Sequence, residues 1–126
     1  MTGKRKVRRA AKTLLSRDAI LALKGGRYED VSAFGGIVRV AAVSAGARDM
    51  FELSLQDLSE TDRRKDFRAR LLVMTCIDEN GEPLFGPEDV AVISKLEAGA
   101  VDPIVEVAMR LNGLSARDRE ELEGNS

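Results

Sequence analysis

Histidine and tryptophan are absent from this chain, cysteine occurs once, and only five aromatic side chains stand among its 126 residues. Without histidine the commonest general acid–base group and the commonest metal ligand are missing. Ser-His-Asp and Cys-His arrangements are excluded with it, and one cysteine without histidine cannot build a zinc site. Cys76 can form no intramolecular disulfide, and its setting between Thr75 and Ile77 in an apolar run reads as a small buried hydrophobe. No apolar run approaches the roughly 20 residues of a membrane span. The basic start is not followed by an uninterrupted apolar core and a small-residue cleavage site, so no secretory signal is expected. These absences point away from an enzyme, to a cytosolic chain that works by binding without a cofactor.

What is present suits one modest core. Hydrophobic residues make up 44% and charged residues 33%, a globular composition with a heavily charged surface. With so few aromatics, that core must rest on Leu, Val, Ile, Ala and Met. The net charge is only −1, yet it is unevenly placed. Lys4, Arg5, Lys6, Arg8, Arg9, Lys12 and Arg17 precede the first acid, Asp18, whereas residues 117–123 lean acidic. The expected organisation is a flexible basic arm over 1–10, a single helix-rich domain over 11–123 and a frayed end over 124–126.

Periodicity and capping residues predict mainly α structure of the α+β class: a compact domain of about five helices with a short β element near 37–43. Leu14, Leu15, Ile20, Leu21 and Leu23 give an imperfect apolar face to a helix over 11–24, ended by Gly25-Gly26. Residues 28–36 read as a loop. Ile37, Val38, Val40 and Val43 make a β-branched strand that needs a partner, either the segment near Val31–Phe34 or a neighbouring subunit. Ser44 caps a helix to about Leu58, with Ala47, Phe51, Leu55 and Leu58 on one side. Phe67, Leu71, Met74 and Ile77 predict one continuous helix over 60–78. Pro87 and Pro103 each mark a first helical position, Asp102 capping the second of these helices. Val90, Ile93 and Leu96 carry the first to Gly99; Ile104, Val107, Ala108 and Leu111 face inward on the second, which Asn112-Gly113 closes. Ser115 caps a last charged helix over 116–123.

No chemical motif emerges. Asp78-Glu79-Asn80-Gly81-Glu82 has calcium-loop colouring, but numbering from Asp78 puts Pro83 where the loop needs glycine. It reads as a turn. The glycine pairs fit no phosphate-binding pattern. Six cations within the first twelve residues could neutralise phosphates, but no aromatics interleave with them for base stacking.

Three stretches resemble the small tail assembly chaperones of long-tailed bacteriophages. The first is Gly36-Ile37-Val38-Arg39-Val40 followed by the Ser44–Leu55 helix with Arg48, Asp49 and Phe51. The second is Lys65-Asp66-Phe67-Arg68-Ala69-Arg70-Leu71-Leu72-Val73, then Asp78-Glu79-Asn80-Gly81-Glu82-Pro83-Leu84-Phe85 and Glu88-Asp89-Val90. The third is Val107-Ala108-Met109-Arg110-Leu111-Asn112-Gly113-Leu114-Ser115, with Glu120 to Asn125 near the end. Together they cover about residues 36–125, in an order of helices and turns rather than one diagnostic motif, and the basic arm departs from the pattern. The resemblance implies a helical protein of the host cytoplasm, expected to be absent from the mature virion. It would bind the phage tape measure protein, keep it soluble and help tail tube protein gather around it. Apolar residues left over from the core faces, Leu114 and Leu122, are the candidate partner-binding positions, with packing of the last helix as their plainer role.

Two other readings remain at this point. A structural virion subunit, of head–tail connector or tail terminator type, would use the strand at 37–43 to complete a sheet between copies as a homo-oligomer. A nucleic-acid-binding protein would use the basic arm, although nucleic acid is not the expected partner; neither is a membrane.

Overall fold

The computed structural model describes residues 12–124. The arm expected over 1–10 and the last two positions of the expected frayed end lie outside them. In chain order the elements are α1 (Arg17–Leu21), β1 (Tyr28–Ala33), β2 (Gly36–Ala41), α2 (Ala45–Gln56), α3 (Glu60–Lys65), α4 (Phe67–Thr75), β3 (Cys76–Ile77), a 3-10 turn (Pro87–Asp89), α5 (Val90–Ile93), α6 (Ala98–Leu111) and α7 (Ala116–Leu122). The architecture is the mainly helical α+β class that the sequence predicts, with seven α-helices among the described residues instead of about five.

Residues 28–33, expected as a loop, form a strand. β1 pairs antiparallel with β2 in unbroken register from Tyr28↔Ala41 to Ala33↔Gly36. Only Val31 of β1 is buried, so the alternation that marks a strand in sequence is faint, and β2 supplies the order. Asp30 and Arg39 face each other across the pair, joined at 2.8 and 3.1 Å, with the guanidinium 4.1 Å from the Tyr28 ring centre. The hydrogen bonds from Arg39 hold the Asp30 carboxyl below its usual range. Phe34 and Gly35 close the hairpin at φ +55° and +75°, the two positive angles of a two-residue turn that matches strand twist. β3 adds to the far edge of β2 opposite Arg39 and Val40, giving the order β1-β2-β3.

The continuous helix expected over 60–78 is broken at Asp66, whose φ −116° and ψ 25° leave the helical region. α3 buries no residue and follows the surface, whereas α4 buries Phe67, Ala69, Leu71, Leu72 and Thr75. The break lets the second half turn inward, where Phe67 meets Phe51 edge to face at 6.2 Å. Ile77, expected to continue that face, lies in β3 instead. Nor does Pro103 start a helix: α6 begins at Ala98 and carries Pro103 inside it. Val101, Ile104, Val105, Ala108 and Leu111 form one buried stripe, and burying Val101 draws an extra turn into the helix ahead of the proline. Asp102, expected as a cap, receives Arg68 at 2.7 Å. The helix from Pro87 stops at Ile93, well short of Gly99, leaving Leu96 exposed.

α6 is the central element, packed on β1 and β2 and on α4. Its end is tied down by polar groups. The Asn112 side-chain oxygen accepts from Val43 N–H at 2.8 Å, while its amide donates to the carbonyls of Ala41 and Ala108. Arg48 donates to the Asn112 carbonyl at 2.7 Å and Arg27 to that of Leu111 at 3.1 Å, two cations on the negative end of the helix dipole. Gly113, at φ +65°, then lets Leu114 N–H reach back to the Met109 carbonyl at 2.8 Å. In the last turn of α6, Arg110 grips Glu29 of β1 at 2.7 Å.

Two outcomes are expected. Asn112→Ala removes three side-chain hydrogen bonds and lowers unfolding stability in urea by about 1–3 kcal/mol. Phe34→Asn relieves a bulky side chain at positive φ and raises stability by about 1 kcal/mol, because Asn tolerates that region.

Candidate functional site

The Ser44 hydroxyl accepts from Ala47 N–H at 3.1 Å and starts α2, as its position in the sequence predicts. Two neighbouring stripes then run along this helix. Phe51 and Leu55 point into the core, 8% and 1% exposed. Ala47, Met50, Phe51 and Ser54, spaced i, i+3, i+4 and i+7, line a groove of about 360 Å³ instead. Its other wall is the i, i+3, i+4 set Arg70, Val73 and Met74 of α4, and Pro87 and Val90 close one side. Met50 is 66% exposed, whereas Val73, Met74 and Val90 are half-buried against the core. The floor is therefore fixed by packing and the lip is open.

Two methionines facing one another across an apolar trough make a surface that adapts to varied side chains, because the thioether is unbranched and polarisable. A trough between two helices is the shape that receives the apolar side of a third. At its wall, Arg70 approaches Asp66 at 4.0 Å, and its buried Nε has no hydrogen-bond partner among the described residues. The guanidinium thus stands at the groove's wall, paired with Asp66 and largely covered.

The two residues singled out from sequence lie elsewhere. Leu114 is 6% exposed and belongs to the core cluster. Leu122 is half-buried against that cluster and lines a polar cleft of about 220 Å³ with Arg48, Glu52, Arg63 and Asp118. This cleft lies beside the start of α7, where the Ser115 hydroxyl accepts from Asp118 N–H and the Asp118 carboxylate accepts from Ser115 N–H. The backbone hydrogen bond from Ser115, then its hydroxyl, hold the Asp118 carboxyl below its usual range. Asp118 is thus engaged in capping and Arg48 in closing the end of α6, whereas Arg63 Nε is buried there with no hydrogen-bond partner among the described residues. In the sequence Met74 falls on a predicted core face and Met50 on no predicted face, so the pattern of those faces does not show the groove. The signal that finds it is the second helical stripe beside Phe51.

Chemistry is sparse on this surface. Cys76 is fully buried and burial pushes its thiol up to about 11, which keeps it protonated and unreactive near neutrality. Asp78 receives the N–H groups of Asn80 and Glu82 on one carboxylate oxygen, a local turn with Gly81 at φ +80°. Among the described residues no group of three carboxylate or thiol side chains could hold a metal ion, and no helix is long and apolar enough to cross a membrane.

Leu114→Ala is expected to lower stability by about 2–4 kcal/mol, as a core truncation does, read from the urea midpoint. An unchanged midpoint would return Leu114 to the list of surface contacts. Comparison with protein-family models, with curated proteins and with solved structures finds no match for this chain.

Proposed function

We propose that this protein is a tail assembly chaperone of the long-tailed phage type, which holds an amphipathic helix of the tape measure protein in the groove between α2 and α4. The observation that carries the reading is the groove itself: an open, methionine-lined trough on a fixed floor, with a guanidinium at its wall. A long helical chain exposes apolar stripes that aggregate when left uncovered. Laying such a stripe against Met50, Val73 and Met74 removes it from water, and several copies along one client gain from multivalency. The sequence resemblance over residues 36–125 motivates the same reading. On this account the protein acts in the host cytoplasm, keeps its client soluble while tail tube subunits gather, and leaves before the particle is complete.

The rival reading as a virion subunit rested on an unpaired strand over 37–43, and β2 has a neighbour on both edges. The nucleic-acid reading rests on arm residues that lie mostly outside the described part of the chain.

Co-expression with a tape measure segment is the direct test. The chain should move that segment from the pellet to the soluble fraction. Met50→Glu and Ala47→Glu, both at exposed positions, should each weaken binding at least about tenfold, or 1.4 kcal/mol, with folding stability changed by no more than about 0.5 kcal/mol. Equal precipitation of the client with and without the chain defeats the reading.

A further inference from the structure

β1 is an edge of the sheet: the strand order is β1-β2-β3, and among the described residues β2 alone pairs with it. The register shows which backbone groups that pairing leaves over. Ala42 N–H donates to the Arg27 carbonyl at 2.9 Å, so residues 27 and 42 are a hydrogen-bonded pair. Such pairs recur at every second residue of an antiparallel ladder. Glu29, Val31 and Ala33 therefore bond to β2, and Tyr28, Asp30 and Ser32 turn their N–H and C=O groups outward. All three are exposed, α6 packs on the opposite face, and no other described segment sends a backbone hydrogen bond to this edge. Proteins blunt such edges with lysine, proline, a bulge or an unpaired charge. β1 has none of them. Its six residues hold no lysine or proline, and its register is unbroken. Its two acids are already met, Asp30 by Arg39 and Glu29 by Arg110.

The edge thus presents backbone groups with no net charge to be met, and its sequence matches itself. Two copies of β1 running antiparallel can join their outward groups when centred on Glu29, Asp30 or Val31. Centring on either acid sets two carboxylates directly opposite one another, which destabilises a strand pair. Centring on Val31 sets Asp30 against Ser32 and Glu29 against Ala33 in both halves, with the two valines side by side on the face that α6 covers. Each of the two Asp30–Ser32 couples then exchanges two backbone hydrogen bonds. Beyond Ala33, the hairpin tip Phe34 of one copy falls beside Tyr28 of the other. These rings are 51% and 49% exposed in the single chain, and aromatic neighbours across strands stabilise a sheet.

We propose that the protein forms a two-fold dimer through β1, with Val31 of both copies at the axis and one continuous sheet in the order β3-β2-β1-β1-β2-β3. The contact uses the same strand on both copies, so it closes at two. The outer edges are then the two β3 strands, each two residues long and covered by the bridge from Ile77 to Pro83. The groove between α2 and α4 takes no part, since none of its lining residues belongs to β1. Dimerisation therefore stands independently of the chaperone reading and adds to it. A dimer carries two grooves, and a long client held in one meets the other at a raised effective concentration.

Sedimentation velocity on the full chain tests this, and at tens of micromolar it should show a dimer that dissociates on dilution. Ser32→Pro removes an outward N–H and leaves the ladder to β2 whole. It should weaken dimerisation at least about tenfold, because two of the four new hydrogen bonds go with it. Thermal unfolding, compared at dilutions where both chains are monomeric, should change little. Ser32→Asp keeps the backbone groups and sets a carboxylate against Asp30 of the other copy, so it should weaken the dimer several-fold, whereas Ser32→Lys should not. Should Ser32→Pro unfold the chain, the Asp and Lys variants carry the test by themselves. Val31→Cys should cross-link across the axis on oxidation, while the parent chain, whose Cys76 is fully buried, should not. A monomer at every concentration overturns the proposal, as does a dimer that survives Ser32→Pro in the folded state. So does one that Ser32→Asp and Ser32→Lys weaken alike. A monomer whose folded Ser32→Pro variant no longer solubilises the client gives the edge to an extended client strand and overturns it equally. Met50→Glu should leave the dimer intact while weakening client binding, so either reading can fail without the other.

Discussion

The end of α6 is the point on which the rest of the fold depends. Asn112 gives one side chain to three backbone groups, on Ala41, Val43 and Ala108, and so fixes the end of β2 against the last turn of the helix. Arg27, just before β1, and Arg48, on α2, bring their guanidinium groups to the last carbonyls of the same helix. Strand, hairpin entry and α2 thereby share one anchor. These carbonyls need partners because a helix cannot satisfy them internally. Supplying those partners from three distant segments turns a local requirement into long-range order.

That anchor also sets the groove. With α2 held at its start by Arg48, the angle at which its stripe of Ala47, Met50 and Phe51 faces α4 is no longer free. The turn inward at Asp66 places the opposite wall. Asp66 accepts from the Ser94 hydroxyl at 2.7 Å, which couples the break to the segment after α5. A straight helix from Glu60 onward would keep Phe67 off Phe51 and leave Val73 and Met74 without the floor they rest on. The groove is therefore a consequence of how the core is filled. This explains why its methionines are half core and half surface.

The same division runs through the charges. Three pairs hold elements together, Arg39 with Asp30 across the hairpin, Arg110 with Glu29 between helix and sheet, and Arg68 with Asp102 between α4 and α6, while others link residues four apart in sequence. All are solvent-exposed to some degree, so each contributes little by itself. Their value lies in orientation. What the ion pairs leave over is the imbalance between the two parts of the chain, and that imbalance concerns encounters with other molecules rather than folding.

The sequence by itself determined the features that depend on neighbours in the chain. Ser44 and Ser115 start helices because a hydroxyl reaches an N–H three residues on, and Asn112-Gly113 ends one because glycine accepts positive φ. The β-branched run behind the strand expected over 37–43, observed over 36–41, and the α+β class were legible from local pattern too, and the apolar run around Cys76 foretold its burial. Only the tertiary structure decided that 28–33 is a strand, since its pairing energy comes from β2. It also decided that the helix breaks at Asp66, that α6 begins before Pro103, and that Leu114 belongs inside. In each case pairing with or burial against a distant element outweighed a local preference of about 1 kcal/mol per residue, and up to about 3 for proline. The groove was beyond local reading altogether, because whether Met50 and Met74 face one another depends on the angle between two helices.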